Sequence, residues 1–268
     1  MLNKFLLRLF GIAILMFLAL PLVVIIASSM TTSDFLSFPP KGLTLKWYVA
    51  VLSDATYVDS FITSTILAVC ATAIGLVIAI PASLAIARYD FPGRGFINAV
   101  FSAPMVLPYL VLGSALLQYT GYLGFSQTFS ALLVGHVLIV TPFIMKSLSG
   151  ILTRDHLALE RAAADLGASP WDTLRTVTLP LMKPGMITGS ILGFITSWIN
   201  VELSMFNTTA ALNTIPVQLF NYVQYSVDPS IAAVSAITIF ISIIVIAVLD
   251  LTIGLDIFSN RQQSDRNQ

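Results

Sequence analysis

The chain has 268 residues, of which 57% are hydrophobic and only 10% charged, and its formal net charge is zero. Ordinary soluble domains carry roughly 25% charged residues, and several apolar runs here exceed the ~18 residues that mark a bilayer span, so the composition excludes a soluble enzyme and predicts an all-α integral membrane protein. The neutral balance offers nothing to nucleic acid, and the single cysteine, Cys70, can complete neither an internal disulfide nor a metal site.

Six spans are predicted. The first, Gly11 to Ser29, follows Lys4 and Arg8 and ends on the small residues Ala27, Ser28 and Ser29. Its apolar stretch is longer than that of a signal peptide, which favours an uncleaved span. The second, Phe61 to Ala87, repeats small residues at every fourth position through Ala71, Gly75, Ala79, Ser83 and Ala87. The third, Gly95 to Leu117, is broken by Pro104 and Pro108, and the fourth, Phe129 to Met145, contains Pro142. The fifth, Met186 to Phe206, opens on the tandem G-x-x-x-G of Gly185, Gly189 and Gly193. The sixth starts at Ile231, is free of charge to Leu249 and closes by Ile253. Small residues at this spacing let helices approach closely in lipid. Prolines within spans, Pro81 included, free carbonyls that need partners in protein or in a water-filled cavity.

The basic residues orient these spans. If the N-terminus is cytoplasmic, the inner segments hold Lys4, Arg8, Arg88, Arg94, Lys146, Arg154, Arg161, Arg175, Lys183, Arg261 and Arg266, and only Lys41 and Lys46 of the 13 Lys and Arg fall outside. The positive-inside bias therefore predicts that both termini face the cytoplasm, as does a polar loop of about 149–185 between spans four and five.

That loop contains ERAAADLGASPWDTLRTVTLP. Residues Leu157 to Leu166 are good helix formers, and Gly167 sits where a left-handed residue ends a helix without steric cost. Ser169 then offers an N-cap, Pro170 suits the first helical position, and Asp172 completes an S-x-x-D capping box at the positive end of the new helix. Helix, glycine and helix make a compact knob. Ala162, Ala163 and Ala164 let another surface come close, and Leu166 and Trp171 are apolar anchors of the kind found at binding hot spots. An amphipathic loop lying on the inner leaflet would show the same pattern.

The stretch resembles the EAA loop of the membrane subunits of ABC importers, whose pattern is E-A-A, three residues, G, nine residues, I, one residue, L-P. Ala162, Ala163, Gly167, Leu179 and Pro180 match, and Val177 replaces the Ile. The Glu of the pattern falls on Arg161, with a carboxylate one place earlier at Glu160. FPPKGLTLKWY, APMVLP and SVDPSIAAVS are similar to permeases of the spermidine/putrescine branch. The resemblance implies a subunit of the bacterial inner membrane that forms half of a translocation pathway for a small polar solute, a polyamine or related amino compound. It implies a second permease subunit, a paralogue rather than an identical copy, and a solute-binding protein outside. It also implies a cytoplasmic ATPase dimer that uses ATP and Mg and is coupled through Glu160, Arg161, Ala162, Ala163, Asp165, Leu166, Gly167 and Ala168. No cofactor is expected on this chain. None of Lys4, Lys41, Lys46, Lys146 and Lys183 follows a glycine, so the chain has no G-K-[ST] phosphate loop of its own.

Polar groups inside spans are costly and mark functional positions. In the fifth span these are Trp198, Asn200 and Glu202. On a continuous helix Trp198 and Glu202 share a face, Asn200 lies about 200° around from Glu202, and Glu202 is about 24 Å from Met186. A carboxylate beside an indole suits an organic cation. His136 is expected to bond between helices and His156 to lie on the hydrated face of the loop, since neither sits in a metal-ligand or H-E-x-x-H pattern. Asp250 reads as an interfacial residue. No catalytic constellation is visible, which sets an intramembrane enzyme aside. A secondary carrier driven by protons or sodium fits less well, because the spans hold few ionisable groups and show no matching halves.

Overall fold

The computed structural model describes residues 2–152 and 154–253. Arg261, Arg266 and the predicted position of the C-terminus lie outside the described residues. Every regular element described is helical: α1 Leu2–Ser29, α2 Lys46–Ser53, α3 Ala55–Arg88, α4 Arg94–Ser102, α5 Tyr109–Tyr122, α6 Phe129–Ser149, α7 Arg154–Asp165, α8 Pro170–Thr173, α9 Leu179–Trp198, α10 Ile215–Val223 and α11 Pro229–Ile253. Three of them, α3, α6 and Leu6–Ser29 of α1, are long and apolar enough to cross a membrane. A fourth span results if α4 and α5 count as one, and the described apolar run of α11 is shorter, Pro229–Val245.

The chain divides into two compact units. One joins the N-terminal segment, through Phe61, with Gln218–Ile244. After α1 its chain is held by local polar contacts: the Trp47 indole donates to the Thr31 carbonyl at 2.9 Å, and Lys46 pairs with Asp34 at 2.8 Å. The Tyr222 hydroxyl donates to Asp228 Oδ2 at 2.5 Å, and this bond, with partial burial, holds the Tyr222 phenol above its ordinary pKa. Tyr57 meets Tyr222 edge-on with ring centroids 6.2 Å apart. The short helices α2 and α10 occupy stretches read from sequence as outer loops.

The other unit runs from Ile62 to Val217, with the described residues Val245–Ile253. Its centre is α6, entered through Thr128, whose hydroxyl accepts from the Ala131 amide at 3.2 Å. Glycines of both small-residue stripes meet α6. From α3, Ala71, Gly75, Ala79 and Ser83 are buried, and a Cβ at Gly75 would stand 3.0 Å from Ile144 Cδ1. From α9, Cβ atoms at Gly185, Gly189 and Gly193 would come within 2.8 Å of Ile151, 2.9 Å of Ile144 and 2.7 Å of Val140. At Gly189 the obstacle is the Ile144 Cα itself, which cannot step aside as a side-chain tip could. Gly189→Leu should therefore separate α6 from α9 and cost about 1–3 kcal/mol. The expected readout is a lowered thermal midpoint of the detergent-solubilised protein, with Gly11→Leu, at a position where an added Cβ meets nothing within 4 Å, as the neutral control.

The third predicted span is broken where its prolines sit. Helix α4 tightens into a 3-10 turn at Ala103–Met105, and α5 restarts behind Pro108, at an angle of 104° to the first arm. Pro108 has no N–H to donate, and its ring forces the preceding residue out of the helical region. The fifth span departs from the sequence reading. Helix α9 stops at Trp198, and Ile199–Leu203 is irregular before a 3-10 turn at Ser204–Phe206. The helical wheel that put Trp198 and Glu202 on one face, and the 24 Å rise to Glu202, do not hold.

Candidate functional site

Two regions carry the residues singled out by sequence, and both belong to the unit centred on α6. The first is the polar loop. Helix α7 ends in a Schellman motif: Gly167 has φ +90°, its amide bonds the Ala164 carbonyl at 2.9 Å, and the Ala168 amide bonds the Ala163 carbonyl at 3.1 Å. Ser169 caps the next helix by accepting from the Asp172 amide at 3.2 Å, and its hydroxyl donates to Asp172 Oδ2 at 2.5 Å. The capping box is thus closed through the serine hydroxyl. The second helix does not end within the loop. From α8 the chain passes through a π-helical turn, Leu174–Thr178, directly into α9. A π turn inserts an extra residue into the ladder and is frequent at functional sites.

The loop residues do not all face the same way. Leu166 is 90% exposed and Trp171 67% exposed, and Arg161, Ala162, Asp165 and Gly167 are also exposed, whereas Ala163 and Ala168 are half-buried. Glu160 turns inward. Its Oε1 pairs with Arg88 Nη2 at 2.7 Å and accepts from the Thr178 hydroxyl at 2.7 Å, while Arg88 Nη2 also donates to that hydroxyl at 3.0 Å. The end of α3, the body of α7 and the π turn are tied at one point. Sequence reasoning found Glu160 but neither of its partners, since Arg88 lies 72 residues away. His156, read as hydrated, is half-buried.

The second region is where two interrupted helices meet. Gly113 of α5 packs against the segment after α9 so closely that a Cβ there would lie 2.8 Å from Phe206 and 3.0 Å from the Leu203 Cα. A Cβ at Gly135 of α6 would collide with Leu116 at 2.5 Å and Leu203 at 2.8 Å. The break itself is fixed by polar bonds. Asn200 is buried and its Oδ1 accepts from the Leu203 amide at 2.9 Å, and Ser204 donates to the Asn200 carbonyl at 2.9 Å. His136, fully buried, reaches Ser197 Oγ at 2.7 Å through Nδ1 and Ser204 Oγ at 2.9 Å through Nε2, the interhelical role expected of it.

These bonds sort the three pathway candidates. Trp198 is 1% exposed and stacked on Phe194 at 5.4 Å, so its indole packs within this chain. Asn200 is spent on the backbone of the break. Glu202 alone is exposed, and it stands within electrostatic reach of Tyr109, the first residue of α5. Tyr109 was missed because no local pattern joins a residue after a proline break to one in another span.

Bent and interrupted apolar helices packed through glycines, a carboxylate at the break and a capped loop running into a long helix are features suited to a membrane transport subunit. Residues 71–255 match the family described as the inner membrane component of binding-protein-dependent transport systems, and the chain belongs to it. It is 28% identical to the spermidine/putrescine transport system permease protein PotC of Escherichia coli K12, across 88% of this chain and 89% of PotC. With PotC of Haemophilus influenzae it shares 26% identity, covering 93% and 97%. PhnV of Salmonella typhimurium, provisionally named a 2-aminoethylphosphonate transport system permease protein, is 28% identical, covering 90% and 91%. A bacterial ABC transporter that imports the acidic polysaccharide alginate has the same fold, with a TM-score of 0.65 at 20% identity over 93% of this chain and 94% of that one.

Proposed function

We propose that this chain forms half of the translocation pathway of an ATP-driven importer for a small solute carrying a protonated amine, a polyamine or related compound. The observation that carries this reading is Glu202, the exposed carboxylate in the irregular segment after α9. Unwound backbone at membrane depth is tolerated only where it lines a water-filled cavity or is buried in protein, which makes the break after α9 a place where substrate can be met. A carboxylate there attracts an ammonium by charge. The names of PotC and PhnV agree, since spermidine, putrescine and 2-aminoethylphosphonate all bear such a group. In this reading the second permease is a paralogue, both termini and α7 face the cytoplasm, an ATPase dimer docks on the loop, and a solute-binding protein delivers cargo from outside.

Uptake of labelled spermidine and putrescine into cells expressing the assembled importer tests the proposal. Glu202→Gln keeps the shape and deletes the charge, and uptake should fall about tenfold, the worth of one charge-assisted contact. Undiminished uptake by the variant at matched expression would remove Glu202 from the pathway.

A further inference from the structure

The polar loop and the end of α3 border an open cleft of about 410 Å³, whose walls include Arg88, Glu160, Arg161, Ala164, Ala168 and Thr173. Its chemistry is lopsided. Thr173, 8% exposed, has a hydroxyl buried without a hydrogen-bond partner, and Arg88 Nε is likewise buried with none. Thr176, three residues on, satisfies its hydroxyl by donating to the Asp172 carbonyl at 2.6 Å, so the want of an acceptor at Thr173 does not come from helical position alone. Among the described wall residues the one carboxylate, Glu160, already takes Arg88 Nη2 and Thr178 on Oε1. Arg161, exposed at the rim, adds a second guanidinium, so two positive charges face one negative. Buried donors without acceptors are costly, and a guanidinium fork is shaped for a carboxylate.

We infer that the cleft is a socket for an acidic side chain, Asp or Glu, of the ATPase that docks on this loop. The inference rests on the importer reading and adds the polarity of the contact. Charge complementarity selects the anion, and the exposed anchors Leu166 and Trp171 on the same loop supply the apolar contact that a protein partner needs. The small walls of Ala164 and Ala168 leave room for a carboxylate to enter. Arg161 at the rim receives it, and the Thr173 hydroxyl and Arg88 Nε, which have almost no accessible surface in the unbound chain, gain an acceptor only as it seats.

The test uses the full importer, purified through a tag on this chain at about 150 mM salt, where exposed charges are screened but partly buried pairs are not. Retention of the ATPase should fall about tenfold in Arg161→Glu and by a smaller factor in Thr173→Val. Reversing one acidic residue on the ATPase surface to Arg should restore retention to Arg161→Glu. Equal retention by wild type and both variants would overturn the socket while leaving the importer reading intact. Wild-type chain that retains no ATPase would overturn the importer reading itself, and the socket with it. In nanodiscs, a dependence on Arg161 that appears with phosphatidylglycerol and vanishes in phosphatidylcholine would assign the cleft to a lipid headgroup and sink the inference.

Discussion

Gly167→Val is expected to leave the chain folded in the membrane and to abolish ATP-driven uptake. A Cβ built at Gly167 meets no atom within 4 Å, so crowding does not enter and the whole effect comes from the backbone. At φ +90° an L-residue is strained by about 1–2 kcal/mol, and a β-branched side chain suffers most. The chain escapes by leaving that conformation, which breaks the bonds from the Gly167 amide to Ala164 and from the Ala168 amide to Ala163. The axis of the second helix then shifts relative to α7. Because that helix continues through the π turn into α9, misaiming it disturbs the one continuous connection between loop and span. Gly167→Asn, a residue that tolerates positive φ, should keep most of the uptake. Normal uptake by the Val variant, with normal co-purification of the ATPase, would show that the bend transmits nothing.

Much of this loop was legible because its signals are local. A helix stop at Gly167, a cap at Ser169 and a proline at the first position each act within a few residues, and all three are present as read. The small-residue stripes were legible for the same reason, although only the structure names α6 as the surface that glycines of both meet. What the sequence hid is long-range or irregular. Nothing near Trp198 announces that α9 ends there: no proline or glycine follows, and the break is enforced by His136 of another helix, through Ser197 and Ser204, and by the Asn200 side chain. Helical extrapolation across it put Trp198 and Glu202 on one face, and the cost of polar groups in a span singled out Asn200, whereas the structure buries Trp198 and Asn200 and leaves Glu202 exposed. Glu160 was read through the E-A-A resemblance as a docking residue, yet its carboxylate is tied inside the chain.

That tie leads to the last expected result. The Arg88–Glu160 pair should behave as a strut, so that reversing either charge alone is severe and reversing both is mild. The pair is partly buried, with side chains 26% and 12% exposed, so the 3–5 kcal/mol typical of breaking a buried pair is screened here to about 1–3 kcal/mol. Glu160→Arg sets two guanidiniums against the Thr178 hydroxyl, and Arg88→Glu sets two carboxylates there. Either change should free α7 from the end of α3 and from the π turn, lowering the thermal midpoint in detergent and cutting uptake by more than about tenfold. In the double exchange the attraction returns, while the 2.7 Å bond from Thr178 must find a new acceptor, so recovery should be partial. A cycle over the four proteins isolates the coupling between the two residues, and a docking role for Glu160 predicts a different pattern. If Glu160 served the ATPase directly, Arg88→Glu would not rescue Glu160→Arg, and the two losses would simply add. Additive losses in both midpoint and uptake would refute the strut and return Glu160 to the docking surface.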